Sequence, residues 1–144
     1  MSDETRAALI DAARACAGRF DIGPVGAEYS AASCAAALMS DSGRVYTGVC
    51  IDVACGVGFC AEHAAVAEML KGREKRVIAV VAVAQKGTKG WCIVPPCGRC
   101  REMLMQVDPG NAATEVIVSP ERSLPLGKLL PVHWNDAGTW HELG

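Results

Sequence analysis

Apolar residues recur at helical spacing near the start of the chain. Leu9, Ala12, Ala13, Cys16 and Phe20 mark the core face of a helix that Asp3 caps and that runs to about Arg19. Gly23, Pro24 and Gly26 then break the chain. From Ala31 to Leu38 small apolar residues dominate, Asp41-Ser42-Gly43 signals a turn, and Val45, Thr47 and Val49 alternate with other residues. This pattern predicts a β-hairpin with strands at about 32–39 and 44–51. A loop containing Gly56 and Gly58 leads to Cys60, and a helix follows from about Ala61 to Lys71, closed by Gly72. Val77 to Ala84 is apolar throughout and rich in valine, as expected of a central strand. A polar turn, Lys86 to Gly90, precedes a short strand from Trp91 to Val94 that Pro95-Pro96 ends. Gly98 to about Val107 reads as a helix, Glu115 to Ser119 as a strand, and Leu126 to Leu130 as a helical turn. The order α-β-β-α-β-(β)-α-β predicts one mixed sheet with helices packed on it, a single α/β domain over residues 1–144.

Composition narrows this picture. A hydrophobic share of 51% against 21% charged excludes disorder, and an aromatic share of 5% means a core built from Ala, Val, Leu and Ile. Fourteen Lys and Arg stand against sixteen Asp and Glu, a net charge of −2, which argues against binding to a nucleic acid polymer. The most basic stretch, Lys71 to Arg76, is interrupted by Glu74 and reads as a solvated helix end. Met1 to Ile10 lacks the apolar run of a signal peptide, and Val77 to Ala84 is too short to span a bilayer, so no membrane association is expected. The expected location is the cytoplasm, where thiols stay reduced. The eight cysteines are therefore read as metal ligands or buried thiols rather than disulfides. Cys16, Cys34 and Cys92 are expected to be small core residues.

The chemistry concentrates in Cys60-Ala61-Glu62 and Pro96-Cys97-Gly98-Arg99-Cys100. Cys97 and Cys100 are three apart at the start of a predicted helix, which places both sulfurs on one side of its first turn. Cys60 also stands at a helix start, where free amides and the helix dipole favour thiolate. Three thiolates brought together suit one zinc ion and leave a fourth tetrahedral position open, as in catalytic sites. Zinc lowers the pKa of bound water to about 7. Glu62 leaves the helix in a different direction from Cys60, so it can move protons without ligating the metal. Taken singly, each signal has a plainer reading. A lone C-x-x-C also suits a redox pair or a structural zinc knuckle, and a lone Glu62 suits a helix surface. Cys55 or His63 as a fourth ligand would close the site and make it a noncatalytic zinc-stabilised protein.

The two motifs together resemble the zinc-dependent deaminases of nucleosides, whose pattern joins a Cys or His, x, Glu with Pro-Cys-x-x-Cys. Tyr29-Ser30, Asp41 to Gly43, Val45-Tyr46-Thr47-Gly48, Cys60-Ala61-Glu62, Pro96 to Arg101 and Leu126 to Pro131 are similar to the short-form, three-cysteine cytidine deaminases. Pro96 to Arg101 also resembles blasticidin-S deaminase, a relative acting on a cytosine nucleoside antibiotic. The resemblance implies an α/β/α sandwich around a five-stranded mixed sheet, a homotetramer, and a small-molecule substrate. It implies zinc on Cys60, Cys97 and Cys100, with Glu62 as the proton shuttle. It also implies that backbone groups of Ala61 and of Pro95-Pro96 hold the base. Where the family carries Gly-x-Asn-Val-Glu-Asn for the ribose, this chain has Gly48-Val49-Cys50-Ile51-Asp52-Val53. Cys50 thus replaces an amide with a poor hydrogen-bond group, and Asp52 is one methylene shorter than Glu. Where short members place an arginine after Cys-Ala-Glu, this chain has His63, which can donate to a ligand sulfur. Arg99, between two of the ligands, can share in offsetting their charge.

Overall fold

The computed structural model describes all residues of the chain except 137 and 139. Helix α1 (Asp3–Cys16) is capped by Ser2, whose Oγ accepts from the Thr5 backbone N–H, so Asp3 is the first helical residue rather than the cap. Leu9 and Ala13 are buried, but Cys16 and Phe20 are exposed, in contrast to the face the spacing predicts. The reason is an early exit. Ala17 turns extended, and the Gly18 N–H donates to Ala32 O at 2.9 Å, which feeds the chain into strand β1 (Phe20–Ile22) with Phe20 outward.

Strands β2 (Tyr29–Ser40) and β3 (Val45–Asp52) form the expected hairpin, and β4 (Val77–Gln85) runs antiparallel along the other side of β2. The sheet is completed by β5 (Trp91–Ile93), β6 (Glu115–Ser119) and β7 (Arg122–Pro125). It is mixed, since β4 and β6 are parallel and the other pairs antiparallel. It holds seven strands rather than five. Ser30 and Ala31 pair with both β1 and β3, so β1 lies on the same edge of β2 as β4. By the same logic β5 and β6 share the far edge of β4. Seven strands therefore fill five positions across the sheet. β4, flanked along its length, is buried except at Ile78 and at its last residue, Gln85.

Helices α2 (Ala61–Lys71) and α3 (Gly98–Val107) cover one face, with Val66, Met69, Leu104 and Met105 packed on Leu38, Val80 and Val116. α1 covers the other through Leu9 and Ala13 against Val81, Val83 and Ile117. The short helix α4 (Leu126–Leu129) closes the far end through Leu126. α2 lies so close to β3 that a Cβ at Gly48 would collide with Ala65 N and Ala61 O, backbone atoms of the helix. The buried Asn111 accepts from the Val77 N–H at 2.8 Å and donates to Lys75 O and Leu104 O, which ties α3 to the start of β4. Among the described residues no helix is long and apolar enough to cross a membrane.

Candidate metal and substrate site

The first turns of α2 and α3 meet beside the bulged half of β2. Cys60 is the N-cap of α2 and Cys97 the N-cap of α3, and neither side chain caps its own helix. Their sulfurs are 3.6 Å apart, and Cys97 Sγ lies 3.5 Å from Cys100 Sγ. All three sulfurs fall within 4.8 Å of one another, and Cys100 is fully buried beneath the other two. A tetrahedral zinc with Zn–S bonds of about 2.3 Å requires sulfur–sulfur edges of about 3.8 Å, so the cluster fits that ion with little adjustment. Neither Cys55 nor His63 belongs to the cluster, which leaves the three-ligand arrangement. Cys55 sits exposed on the 53–58 loop in a left-handed conformation at φ 61°.

The thiols differ in their readiness to ionise. Burial, then the hydrogen bond with Cys97, push Cys60 above the usual thiol range, and burial together with the nearby Glu62 push Cys100 up. Burial also works against the Cys97 thiolate. There the backbone N–H of Cys100, aided by the neighbouring sulfurs and the Arg99 N–H, wins and holds the thiol below its ordinary value. That is the effect of a helix N-terminus on a cysteine placed at its cap. A bound cation acts further in this direction, because a coordinating thiol is deprotonated outright.

Cys60 and Cys97 open into a cavity of about 740 Å³. Glu62 lines it while only 4% exposed, and its carboxylate has no hydrogen-bond partner among the described residues. The first turn of α2 therefore aims one buried, unpartnered carboxylate into the same space as two of the sulfurs. His63 points the other way. Its Nδ1 is 3.7 Å from Cys100 Sγ, and its ring packs obliquely on Phe59 at 6.3 Å between centroids. Burial, then the charge of Arg99, lower its pKa. Arg99 borders both the main cavity and a second recess that it shares with His63.

Asp52 and Cys50 lie on the cavity wall opposite, at the end of β3. Pro95 lines the cavity, whereas Pro96 and Ala61 are buried behind it. The Pro96 carbonyl accepts from Arg101 Nε at 2.8 Å, and the same guanidinium reaches Leu129 O at 3.1 Å, which fixes the turn entering α3. On the far side, Phe59 and Ile51 exchange backbone hydrogen bonds at 3.1 and 3.0 Å. They close the base of the 53–58 loop, where Gly58 leaves no space for a side chain against Ile51 O.

Ser33 and Cys34 are among the cavity residues that the sequence pattern did not reveal. Ser33 donates to Asp52 Oδ2 at 2.8 Å, and Cys34 lines the wall rather than filling the core. Both face one side because β2 bulges between Ala31 and Ala35, with Ala32 at φ 60°. Cys16 is exposed and Cys92 half-buried, in contrast to the core places expected, whereas Cys34 is half-buried against the core cluster of Ala36, Cys50, Ala61 and Ala82. Burial, with Glu62 next, pushes the Cys34 thiol up to about 12.

No protein-family model matches the chain. It is 34% identical to the cytidine deaminase of Mycobacterium tuberculosis over 105 residues, which cover 72% of this chain and 73% of that protein. The crystal structure of a cytidine deaminase from the same organism superposes with a TM-score of 0.64 at 30% identity, over 90% of this chain and 94% of that one. The cytidine deaminase of Burkholderia pseudomallei gives 0.66 at 26% identity, over 89% and 98%. That of Bacillus anthracis shares the fold, with a TM-score of 0.70 at 22% identity, over 93% and 92%.

Proposed function

The chain belongs to the cytidine deaminase family, and we propose that it is a zinc-dependent hydrolase that removes the amino group of a cytosine nucleoside or a related aminopyrimidine as ammonia. The observation that carries this reading is Glu62, buried and unpartnered in the cavity beside Cys60 and Cys97. Cys60, Cys97 and Cys100 hold the zinc, which supplies water activated at neutral pH. Glu62 takes a proton from the attacking water and delivers it to the ring nitrogen. Glu62 then takes the remaining proton of the added hydroxyl and passes it to the amine, so the C–N bond breaks, ammonia leaves and the new C–O bond becomes the carbonyl. His63 Nδ1, 3.7 Å from Cys100 Sγ, is placed to donate to that sulfur in its Nδ1-protonated tautomer, and Arg99 faces the cavity, so both temper the negative charge of three thiolates. Backbone groups of Ala61 and of Pro95-Pro96 hold the base, and Cys50 and Asp52 face the sugar.

The fourfold-ligated, noncatalytic reading loses support because Cys55 and His63 stand outside the sulfur cluster. A blasticidin-S-type activity has less support than a cytidine-type one, since the relatives described above are named cytidine deaminases. The assignment extends to a cytoplasmic, short-form member acting as one domain over residues 1–144 and assembling as a homotetramer. The exposed Val57, between the cavity residues Gly56 and Gly58, and the exposed Val25, two residues before Ala27, support an assembly that covers them. Ammonia release is the test, over a panel of cytidine, deoxycytidine, blasticidin S, free cytosine, isocytosine and aminated triazines. Cytidine or deoxycytidine is expected to lead the panel. Release from a triazine or isocytosine alone contradicts the nucleoside assignment.

A further inference from the structure

Tyr29 lines the main cavity half-buried, and its hydroxyl makes no hydrogen bond among the described residues. A tyrosine so placed offers an apolar ring as a wall and a polar tip for a ligand. The turn between β1 and β2 holds that ring in place. Ile22 pairs with Tyr29 across the hairpin, and Gly23 follows Ile22 at φ 75°. A Cβ at Gly23 would lie 2.8 Å from Tyr29 Cδ2, so the ring rests on the bare backbone of the turn. Glu28, which precedes the tyrosine, is left-handed at φ 56°, and it lines the cavity too. Along β2 the next residue is Ser30, which pairs with Asp52 of β3. Tyr29 therefore stands one residue from the strand position that Asp52 faces.

A sugar hydroxyl has one proton to give and lone pairs to satisfy, whereas a carboxylate only accepts. Asp52 Oδ2 accepts from Ser33 at 2.8 Å, and Oδ1 has no hydrogen bond among the described residues. Asp52 can thus take the proton of a sugar hydroxyl but cannot serve its lone pairs. A phenol supplies the missing donor. On the deaminase reading above, which this deepens, we infer that Tyr29 is a sugar-binding residue: its hydroxyl donates to the sugar hydroxyl whose proton Asp52 accepts. Gly23 is the positioning residue that seats the ring.

The experiment measures kcat/KM, by ammonia release, for cytidine, 3′-deoxycytidine and 5′-deoxycytidine. It compares the natural protein with Tyr29→Phe, which keeps the ring and removes the hydroxyl. The natural protein is expected to favour cytidine over one of the deoxy analogues by about tenfold or more, the worth of one hydrogen bond. In Tyr29→Phe that preference falls toward one, while kcat/KM for the same analogue stays within about twofold, as the cycle requires if the two hydroxyls meet. An equal loss on all three nucleosides assigns the phenol to the fold or the assembly and overturns the inference, as does an undiminished preference. Gly23→Ala is expected to raise KM for cytidine more than it lowers kcat, because it displaces the ring and leaves Glu62 alone. If Tyr29→Phe does not fold, Gly23→Ala decides, and an unchanged KM overturns the inference. A natural protein that deaminates cytidine and both deoxy analogues equally overturns it and leaves the deaminase reading standing. No ammonia from any nucleoside overturns both.

Discussion

At the residue scale, the site depends on where three cysteines sit on their helices. Cys97 occupies the cap of α3 in place of a side chain that would bond the free amides, so those amides face its sulfur instead. On the proposed zinc reading, Cys97→Ala removes that thiolate and with it one of the three proposed ligands. The expected outcome is zinc content near zero in elemental analysis of the purified variant. A lower melting temperature follows, because metal binding free energy is also folding free energy. Full zinc occupancy in Cys97→Ala contradicts the ligand set. Cys60-Ala61-Glu62 and Cys97-Gly98-Arg99-Cys100 were legible in the sequence because helix caps have a fixed geometry relative to the residues that follow them. Ser33 and Cys34 were not. Strand alternation sends neighbours to opposite faces, and the bulge that turns both to the cavity rests on the left-handed Ala32.

At the element scale, the site is assembled by packing α2 and α3 against β2, β3 and β4. The β2–β3 hairpin and both helices follow from hydrophobic period and turn residues. β1 and β7 do not, because strands of three and four residues at ends and edges carry no alternation to detect. The closest approach is at Gly48. Gly48→Ala drives a methyl group into the backbone of α2, the helix that carries Cys60 and Glu62. Overpacking of this kind costs about 1–3 kcal/mol. A lower urea midpoint and a fall in kcat are expected, and unchanged values of both show that α2 is free to move away. The start of β4 is tied to the hairpin turn by Glu74. Its carboxyl is held below its ordinary 4.5 by hydrogen bonds from Ser40 and Ser42 and by Arg44. A depressed folded-state pKa gives a contribution present above about 4.5 and lost as pH falls through the folded value. Glu74→Gln is therefore expected to lower stability at neutral pH and to flatten its decline on acidification. Parallel acid limbs for the two proteins, measured by urea melts, contradict this.

At the scale of the whole molecule, α1 on one face of the sheet and α2 and α3 on the other leave the cavity open at the ends of β2 and β3. Residues around it expose apolar surface, Val57 at 71% among them, which an isolated chain gains nothing by presenting to water. Light scattering is expected to give a particle of about four times 15.1 kDa. A mass of one chain contradicts the tetramer. The fold class was legible from the order of elements, but the exposed apolar patches were not, since exposure depends on which faces the finished fold leaves uncovered.

The central claim is that a non-ligand carboxylate works beside a three-cysteine zinc. The most direct test is Glu62→Ala, assayed together for zinc content and for ammonia release from cytidine. The account predicts about one zinc per chain, a melting profile close to that of the natural protein, and turnover lower by about 10²–10⁴-fold or more. Zinc retained with near-normal turnover would contradict it.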